Sequence, residues 1–192
     1  MKKAVLLLAA VSAFAQANQT DVEKKDVSGF YLGGGIGVTT VYDDSVWPYA
    51  VNLDSNDSTY KLFGGYQFNR IVAIEAQYTR YGDIFDKFED AAPRTMVKPE
   101  NIALMANLGY TFDSGWRPFA TVGLGRTELD FGSSSKAETS FRAGVGGEYS
   151  PKAIENLNFR IAYEVDTFVI DETYDDLTIM LGSLYAGVSY KF

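Results

Sequence analysis

The sequence contains no cysteine and no histidine. Without cysteine, the chain forms no disulfide bond and offers no thiolate to a metal ion or to catalysis. Without histidine, it lacks the side chain that most often acts as general acid or base near neutral pH, and a Ser–His–Asp triad is excluded. A Ser–Lys or paired-carboxylate mechanism stays open in principle. We nevertheless expect the protein not to be an enzyme and to hold no cofactor and no metal.

Long apolar runs and positive charge are also scarce. Beyond residues 1–17, no segment has the 18 or more apolar residues that a transmembrane helix needs. The chain has 17 Lys and Arg against 25 Asp and Glu, which gives a formal net charge of −8. Because contacts to phosphate backbones need Lys and Arg, we expect no nucleic-acid partner.

The N-terminus has the pattern of a secretory signal peptide. Two lysines precede an apolar run over 4–14, and cleavage is expected after Ala15 or Ala17. A buried N-terminal helix is the weaker alternative. Residues 18–28 are polar and are predicted to form a periplasmic lead-in. Residues 29–192 are then predicted to form a single domain.

Eight segments of that domain alternate apolar and polar residues with a period of two, which predicts β-strands. They are 29–39, 59–68, 72–81, 101–112, 118–129, 138–149, 158–166 and 178–192. The connections 42–58, 82–99, 130–137 and 167–177 are longer and polar, whereas 69–71 and 113–117 are tight and 150–157 is intermediate. Long connections at one end and short ones at the other are typical of outer-membrane barrels.

The apolar face of these strands could point inward, as in a soluble lipocalin-like barrel, or outward to lipid. Eight strands enclose room only for filling side chains or one small ligand, and the apolar residues of every strand would overfill that interior. A sheet that spans lipid must also close, because open edges leave unpaired backbone groups. We therefore predict an all-β fold, an eight-stranded antiparallel up-and-down transmembrane β-barrel.

Aromatic residues near strand ends are interpreted as interfacial girdles. The periplasmic girdle is predicted to contain Phe68, Tyr110, Phe112, Tyr149, Tyr190 and Phe192. The outer girdle is predicted to contain Tyr60, Tyr81, Phe131 and Phe141. Arg126 is expected on the lipid face near the outer rim, where it meets lipid phosphate or simply snorkels to an interface.

The opposite, inward face carries charged side chains. The predicted interior charge network consists of Lys61, Glu75, Arg142, Glu148, Arg160, Glu164 and Asp166. One register of the 138–149 and 158–166 hairpin places Arg142 opposite Asp166 and Glu148 opposite Arg160, while another places Arg142 opposite Glu164. Such a network is expected to plug the barrel, and a gate over a narrow water path is the alternative. The inward glycines could leave local cavities.

The sequence contains, in this order, the segments GFYLGGGIG, KLFGGYQFN, VAIEAQYTRYGD, RAGVGGEY and a final YKF. Together these segments resemble the OmpA-like eight-stranded outer-membrane β-barrel family. The resemblance implies a place in the outer membrane of a Gram-negative bacterium. The chain departs from OmpA itself at its end, and we expect a barrel-only member without a peptidoglycan-binding domain. It also implies that Glu75 and Arg160 belong to an interior ionic network. Tyr190 and Phe192 would belong to the signal read by the outer-membrane assembly machinery.

Three functional hypotheses follow for such a barrel. The first is a structural or surface-exposed role, with outer-membrane lipid and lipopolysaccharide as partners. The second is a narrow porin-like channel for ions or small solutes. The third is an adhesin, with an external ligand bound through segments 42–58 and 82–99. Weak divalent-cation binding by the acidic loops, such as LDSNDST (53–59), is a further hypothesis.

Overall fold

The computed structural model describes residues 27–43, 58–82, 84–86, 94–130, 135–154, 156–171 and 176–192. They form nine strands: β1 (Gly29–Asp43), β2 (Ser58–Gln67), β3 (Val72–Arg80), β4 (Ile84–Asp86), β5 (Arg94–Gly109), β6 (Trp116–Asp130), β7 (Ser135–Tyr149), β8 (Leu157–Asp171) and β9 (Asp176–Lys191). Among these residues, no helix is long and apolar enough to cross a membrane.

Eight of the strands make one closed, antiparallel, up-and-down barrel. Sequential neighbours pair with one another, β1 pairs with β9, and β3 pairs with β5 to complete the ring. At the seam between β1 and β9, Tyr31 lies opposite Lys191 and Asp43 opposite Ile179. The closed eight-stranded barrel confirms the predicted fold class.

The short strand β4 lies outside the ring and extends the hairpin between β3 and β5. Asp86 pairs with Arg94, and the register shifts between Ile84 and Phe85. The prediction that all of 82–99 is a loop is therefore wrong. The backbone ladder continues after the apolar alternation ends, because strand pairing needs no lipid-facing side chain.

The same extension occurs in the other long hairpins. Strand β1 reaches Asp43, β6 reaches Asp130 and β8 reaches Asp171, all beyond the predicted strand ends. Strands β7 and β9 likewise begin earlier than predicted. The four long connections at this end, which we call the loop end, are thus shorter than the sequence pattern indicates.

The barrel is apolar outside and polar inside. Large hydrophobic side chains such as Leu32, which is 62% exposed, cover the outer surface. Charged side chains such as Lys61, which is 2% exposed, lie in the interior. A soluble barrel has the opposite distribution. The lipocalin-like alternative is therefore excluded.

Three of the inward glycines, Gly33, Gly35 and Gly146, face large rings from neighbouring strands and do not leave cavities. A Cβ on Gly33 would lie 2.7 Å from Cζ of Phe63, and one on Gly146 would lie 2.7 Å from Cζ of Phe119. A Cβ on Gly35 would meet the Tyr185 ring at 3.0 Å. The expectation of local cavities at these glycines is wrong, because each one makes room for an aromatic side chain.

The opposite end, which we call the turn end, has short connections. In the first, Oδ1 of Asn69 accepts the backbone N–H of Ile71 and of Val72 at 2.8 and 2.9 Å. The next turn has Gly115 at φ = 92°, a left-handed conformation that glycine adopts without strain. A hydrogen bond to Asp113, 2.7 Å long, raises the pKa of Arg70 and links these two turns.

Candidate functional site in the barrel interior

All seven side chains of the predicted charge network point into the barrel. Strand alternation places them there, because Arg142 and Glu148 share one face of β7, and Arg160, Glu164 and Asp166 share one face of β8. The structure joins them through hydrogen bonds and salt bridges into three clusters along the barrel axis.

The turn-end cluster is built around Arg160. Its guanidinium donates to Glu75 at 2.6 and 3.0 Å and to Glu148 at 2.6 and 2.9 Å. Arg117 donates to the other oxygen of Glu148 at 3.1 Å. The guanidinium of Arg160 also lies over the ring of Phe63, 4.1 Å from its centroid. Both carboxylates are thus compensated by more than one donor.

Glu75 is the most heavily coordinated carboxylate of this cluster. It accepts from Arg160, from Tyr31 Oη at 2.7 Å and from Asn107 Nδ2 at 2.6 Å. Gln77 Nε2 donates to its second oxygen at 2.8 Å. These donors together compensate the charge of the buried carboxylate.

The central cluster pairs Lys61 with Glu164. The ammonium group donates to Oε2 of Glu164, and it lies 4.6 Å from the centroid of the Tyr185 ring. Tyr185 Oη donates to Oε1 of Glu164 at 3.1 Å. Both charged side chains are completely buried. This pair crosses the barrel, because β2 and β8 are not adjacent strands.

The loop-end cluster is built around Arg142 and Asp166. Arg142 Nε and Nη2 donate to the two carboxylate oxygens at 2.8 and 2.5 Å, a bidentate arrangement. Arg142 also donates to Thr79 Oγ1 at 2.9 Å and to Tyr81 Oη at 3.2 Å. Tyr81 Oη in turn donates to Asp166.

Gln77 connects the three clusters into one network. Its Nε2 donates to Glu75 at 2.8 Å and to Glu164 at 3.3 Å, while its Oε1 accepts from Arg142 at 3.1 Å. A continuous set of polar contacts therefore runs from Arg117 near the turn end to Asp166 near the loop end. Chemically, such an arrangement can fill and rigidify the interior.

Tyr81 was expected in the outer aromatic girdle, and this prediction is wrong. The side chain is buried and contacts Arg142 and Asp166 in the interior. Tyr78 lies on the outer face of β3, and the alternation, continued one residue beyond the strand end at Arg80, places Tyr81 on the inner face. The period-two alternation predicts this inward direction. The assignment to the girdle relied instead on the aromatic character of Tyr81 and its position at a strand end.

Arg117 is the charged residue that the sequence pattern missed. It was assigned to the tight turn 113–117, but β6 begins at Trp116, and the side chain of Arg117 points inward. With Arg117, the network contains four cations, Lys61, Arg117, Arg142 and Arg160. They match four carboxylates, Glu75, Glu148, Glu164 and Asp166. Without Arg117 the predicted set had one carboxylate in excess.

The register of β7 and β8 is one of the two that the sequence allows. Arg142 lies opposite Asp166, and Glu148 lies opposite Arg160. The alternative, with Arg142 opposite Glu164, is not found, although Nη1 of Arg142 still approaches Oε2 of Glu164 at 3.9 Å.

The turn end is ringed by aromatic side chains on the outer face. Exposed rings form edge-to-face contacts between Tyr110 and Phe112, with centroids 4.9 Å apart, and between Tyr190 and Phe192, 5.2 Å apart. Phe68, near the turn end, is exposed as well. Of the residues predicted for the outer girdle, Tyr60 and Phe141 are exposed, whereas Phe131 lies outside the described residues. Arg126 is exposed on the outer face, opposite Ile102 and Thr139.

Within the described ranges, no group of three or more Asp or Glu residues is arranged to hold a metal ion. Most of the LDSNDST segment (53–59), and with it the hypothesis of divalent binding, lies outside those ranges.

The model of the outer membrane protein beta-barrel domain matches residues 4–192. The chain belongs to this family. Its site of action is therefore the outer membrane, and the apolar outer face is the surface that meets lipid. Comparison with curated protein sequences finds no match.

Solved structures of the same fold cover most of the chain. Neisserial surface protein A (NspA) is 23% identical with a TM-score of 0.55, covering 86% of this chain and 98% of that one. Ail, the attachment invasion locus protein of Yersinia pestis, is 18% identical with a TM-score of 0.53, covering 86% and 100%. The N-terminal barrel of Pseudomonas aeruginosa OprF is 18% identical with a TM-score of 0.52, covering 85% and 98%.

Proposed function

We propose that this protein is a surface-exposed outer-membrane protein whose barrel is a closed, rigid support. In this proposal the turn end faces the periplasm, and the connections of the loop end project from the cell, as in other outer-membrane barrels. The observation that carries it is the interior network, in which Lys61, Arg142 and Glu164 have fully buried side chains. A barrel filled in this way has little room for solutes.

The charge balance of the network supports a plug over a gate. Each carboxylate is bound by at least one cation, and removing Arg142 leaves Asp166 buried without a cation among the described residues. A gate would need a second set of partners of similar energy. In the described interior, Arg142 already uses its donors on Asp166, Gln77, Thr79 and Tyr81.

A planar lipid bilayer tests the closed barrel. We expect the purified protein to insert without steady conductance. Arg142→Ala opens space within the network and should produce measurable conductance, while Arg126→Ala, on the lipid face, should leave the bilayer silent. Steady conductance of the unmodified protein that changes in Arg142→Ala would instead establish the channel hypothesis.

The extracellular role is the second part of the proposal. Two proteins with this fold have names that indicate a role at the cell surface: NspA is a surface protein and Ail is an attachment invasion locus protein. Ail has also been crystallised with a heparin analogue. From these names we take only the general class of role, a function at the cell surface. Loops positioned by a rigid scaffold are where binding concentrates. For this chain, the segments are 44–57 and 87–93, between the strand ends observed here.

Shortening 44–57 and 87–93 to tight turns tests that role. The strands end outside both segments, so the barrel should retain its heat-modifiable gel mobility. Binding of intact cells to heparin-coated and host-matrix-coated surfaces should fall to the level of cells without the protein. Unchanged binding after both deletions would argue against these segments as the binding surface.

A further inference from the structure

A cavity of about 700 Å³ opens at the turn end of the barrel and leads to the interior network. We call it the vestibule. Its inner end is lined by Gln67, Arg117, Glu148, Asn158 and Lys191. A narrow crevice continues from it, lined by Arg117, Ser189 and Lys191 among others. Two of the side chains at this place, Arg117 and Ser189, carry buried polar atoms that are incompletely paired.

Arg117 is the clearest case. The residue is 4% exposed, and only Nη1 is engaged, donating to Glu148 at 3.1 Å. Its Nε and Nη2 atoms are buried and have no hydrogen-bond partner among the described residues. These two atoms form one edge of the guanidinium, the edge that binds an oxyanion through two parallel hydrogen bonds.

Ser189 provides a second unpartnered group in the same crevice. The residue is 2% exposed, and its Oγ is buried without a hydrogen-bond partner among the residues described. A buried donor that is left unpaired costs roughly 1–3 kcal/mol, so a ligand that accepts hydrogen bonds is favoured at this position.

The carboxylate in the crevice does not oppose an anion there. Both oxygens of Glu148 are engaged, one by Arg117 and the other by Arg160. Lys191 contributes a further cation, whose ammonium group donates to Oε1 of Gln67 at 2.8 Å. The guanidinium of Arg117 is additionally held against the ring of Phe119, 5.7 Å from its centroid. The donor edge is therefore fixed in place before a ligand arrives.

We propose that the inner end of the vestibule is a binding site for a small oxyanion, a phosphate or a carboxylate. The Nε and Nη2 edge of Arg117 donates to two of its oxygens, and Ser189 donates to one of them from the crevice. The site opens at the end opposite the segments 44–57 and 87–93. An experiment that excludes a surface role for those segments would therefore not affect this proposal.

The test uses the full chain folded in zwitterionic micelles and labelled with ¹⁵N-arginine. Inorganic phosphate and, separately, acetate are added at constant ionic strength. The Nε–H resonance of Arg117, assigned from its absence in Arg117→Lys, should shift saturably with at least one anion. The anion that binds more tightly identifies the ligand class. Absence of a saturable shift with both anions would overturn the proposal.

Calorimetric titration of variants with the same anions is the second test. Since the Arg117 pair of hydrogen bonds is charge-assisted, Arg117→Gln should weaken binding about tenfold or more. Ser189→Ala removes one neutral donor and should weaken it about threefold. Arg126→Gln, with the same loss of charge on the lipid face, should leave the affinity unchanged. Equal weakening by Arg126→Gln would show a general charge effect and contradict the site. If Arg117→Gln does not fold, Ser189→Ala and the wild-type Nε–H shift decide the question.

Discussion

At the scale of single residues, Arg142 shows how a fully buried charge is accommodated. Its guanidinium has five N–H donors. Five hydrogen bonds use them, two to Asp166 and one each to Gln77, Thr79 and Tyr81. Removing the arginine leaves Asp166 buried with Tyr81 as its remaining hydrogen-bond donor among the described residues.

We therefore expect Arg142→Ala to lower the free energy of unfolding by about 3–5 kcal/mol, because it strands a buried carboxylate. Urea-induced unfolding in lipid vesicles measures this change. The control, Arg126→Ala, removes the same charge from the lipid face and should change stability by less than about 0.5 kcal/mol.

The double variant Arg142→Ala/Asp166→Ala separates pairing from packing. Because it removes both charges, it should be less destabilised than the sum of the single variants. Additive losses would mean that the pair contributes no more than the volume of its side chains.

The direction of most interior side chains could be predicted from sequence, because a strand alternates its faces strictly. That rule placed Lys61, Glu75 and Arg160 inside. It failed for Arg117 and Tyr81 for local reasons, since one was assigned to a turn and the other to an aromatic girdle. Partners across the barrel could not be predicted, because hairpin register relates only adjacent strands.

At the scale of strands, β7 contains two adjacent glycines with opposite surroundings. A Cβ on Gly146 would lie 2.6 Å from the backbone oxygen of Ile161 and 2.7 Å from the ring of Phe119. A Cβ on Gly147 would have no atom within 4 Å among the described residues. The first glycine faces the packed interior, and the second faces lipid.

This difference predicts that Gly146→Ala destabilises the barrel by about 1–3 kcal/mol through overpacking, whereas Gly147→Ala is tolerated. The temperature at which heat-modifiable gel mobility is lost gives the comparison. Equal behaviour of the two variants would contradict the inward packing of Phe119 against β7.

Strand lengths were the least predictable feature at this scale. Periodicity marks only the part of a strand that has one apolar face, which is the part inside the bilayer. The extension of β1 to Asp43 and of β8 to Asp171 is held by backbone pairing with β9. The sequence of these extensions, TVYD at 40–43 and TFVID at 167–171, does not alternate apolar and polar residues, so periodicity could not predict them.

At the scale of the whole molecule, Phe192 completes the contacts of the seam. Its N–H donates to the backbone oxygen of Phe30 at 2.9 Å, and its ring packs against Tyr190. Its expected role in the assembly signal rests on the family resemblance and stays a prediction.

Deleting Phe192 should reduce the amount of barrel recovered from the outer membrane several-fold, since both the seam contact and the predicted signal are lost. Membrane yield and heat-modifiable mobility in cells measure this. Phe112→Ala removes another exposed ring of the same girdle and should leave the yield near normal. Equal yields for the two variants would argue against a specific role of Phe192.

The seam between β1 and β9 has a kinetic consequence. Its ladder joins Tyr31 to Lys191, the most distant parts of the described sequence, whereas every other ladder of the barrel joins strands that lie close in the chain. Closing so large a loop carries the greatest entropic cost, and contacts of high sequence separation slow folding. We expect this seam to form last, so that closure of the ring sets the folding time of the protein.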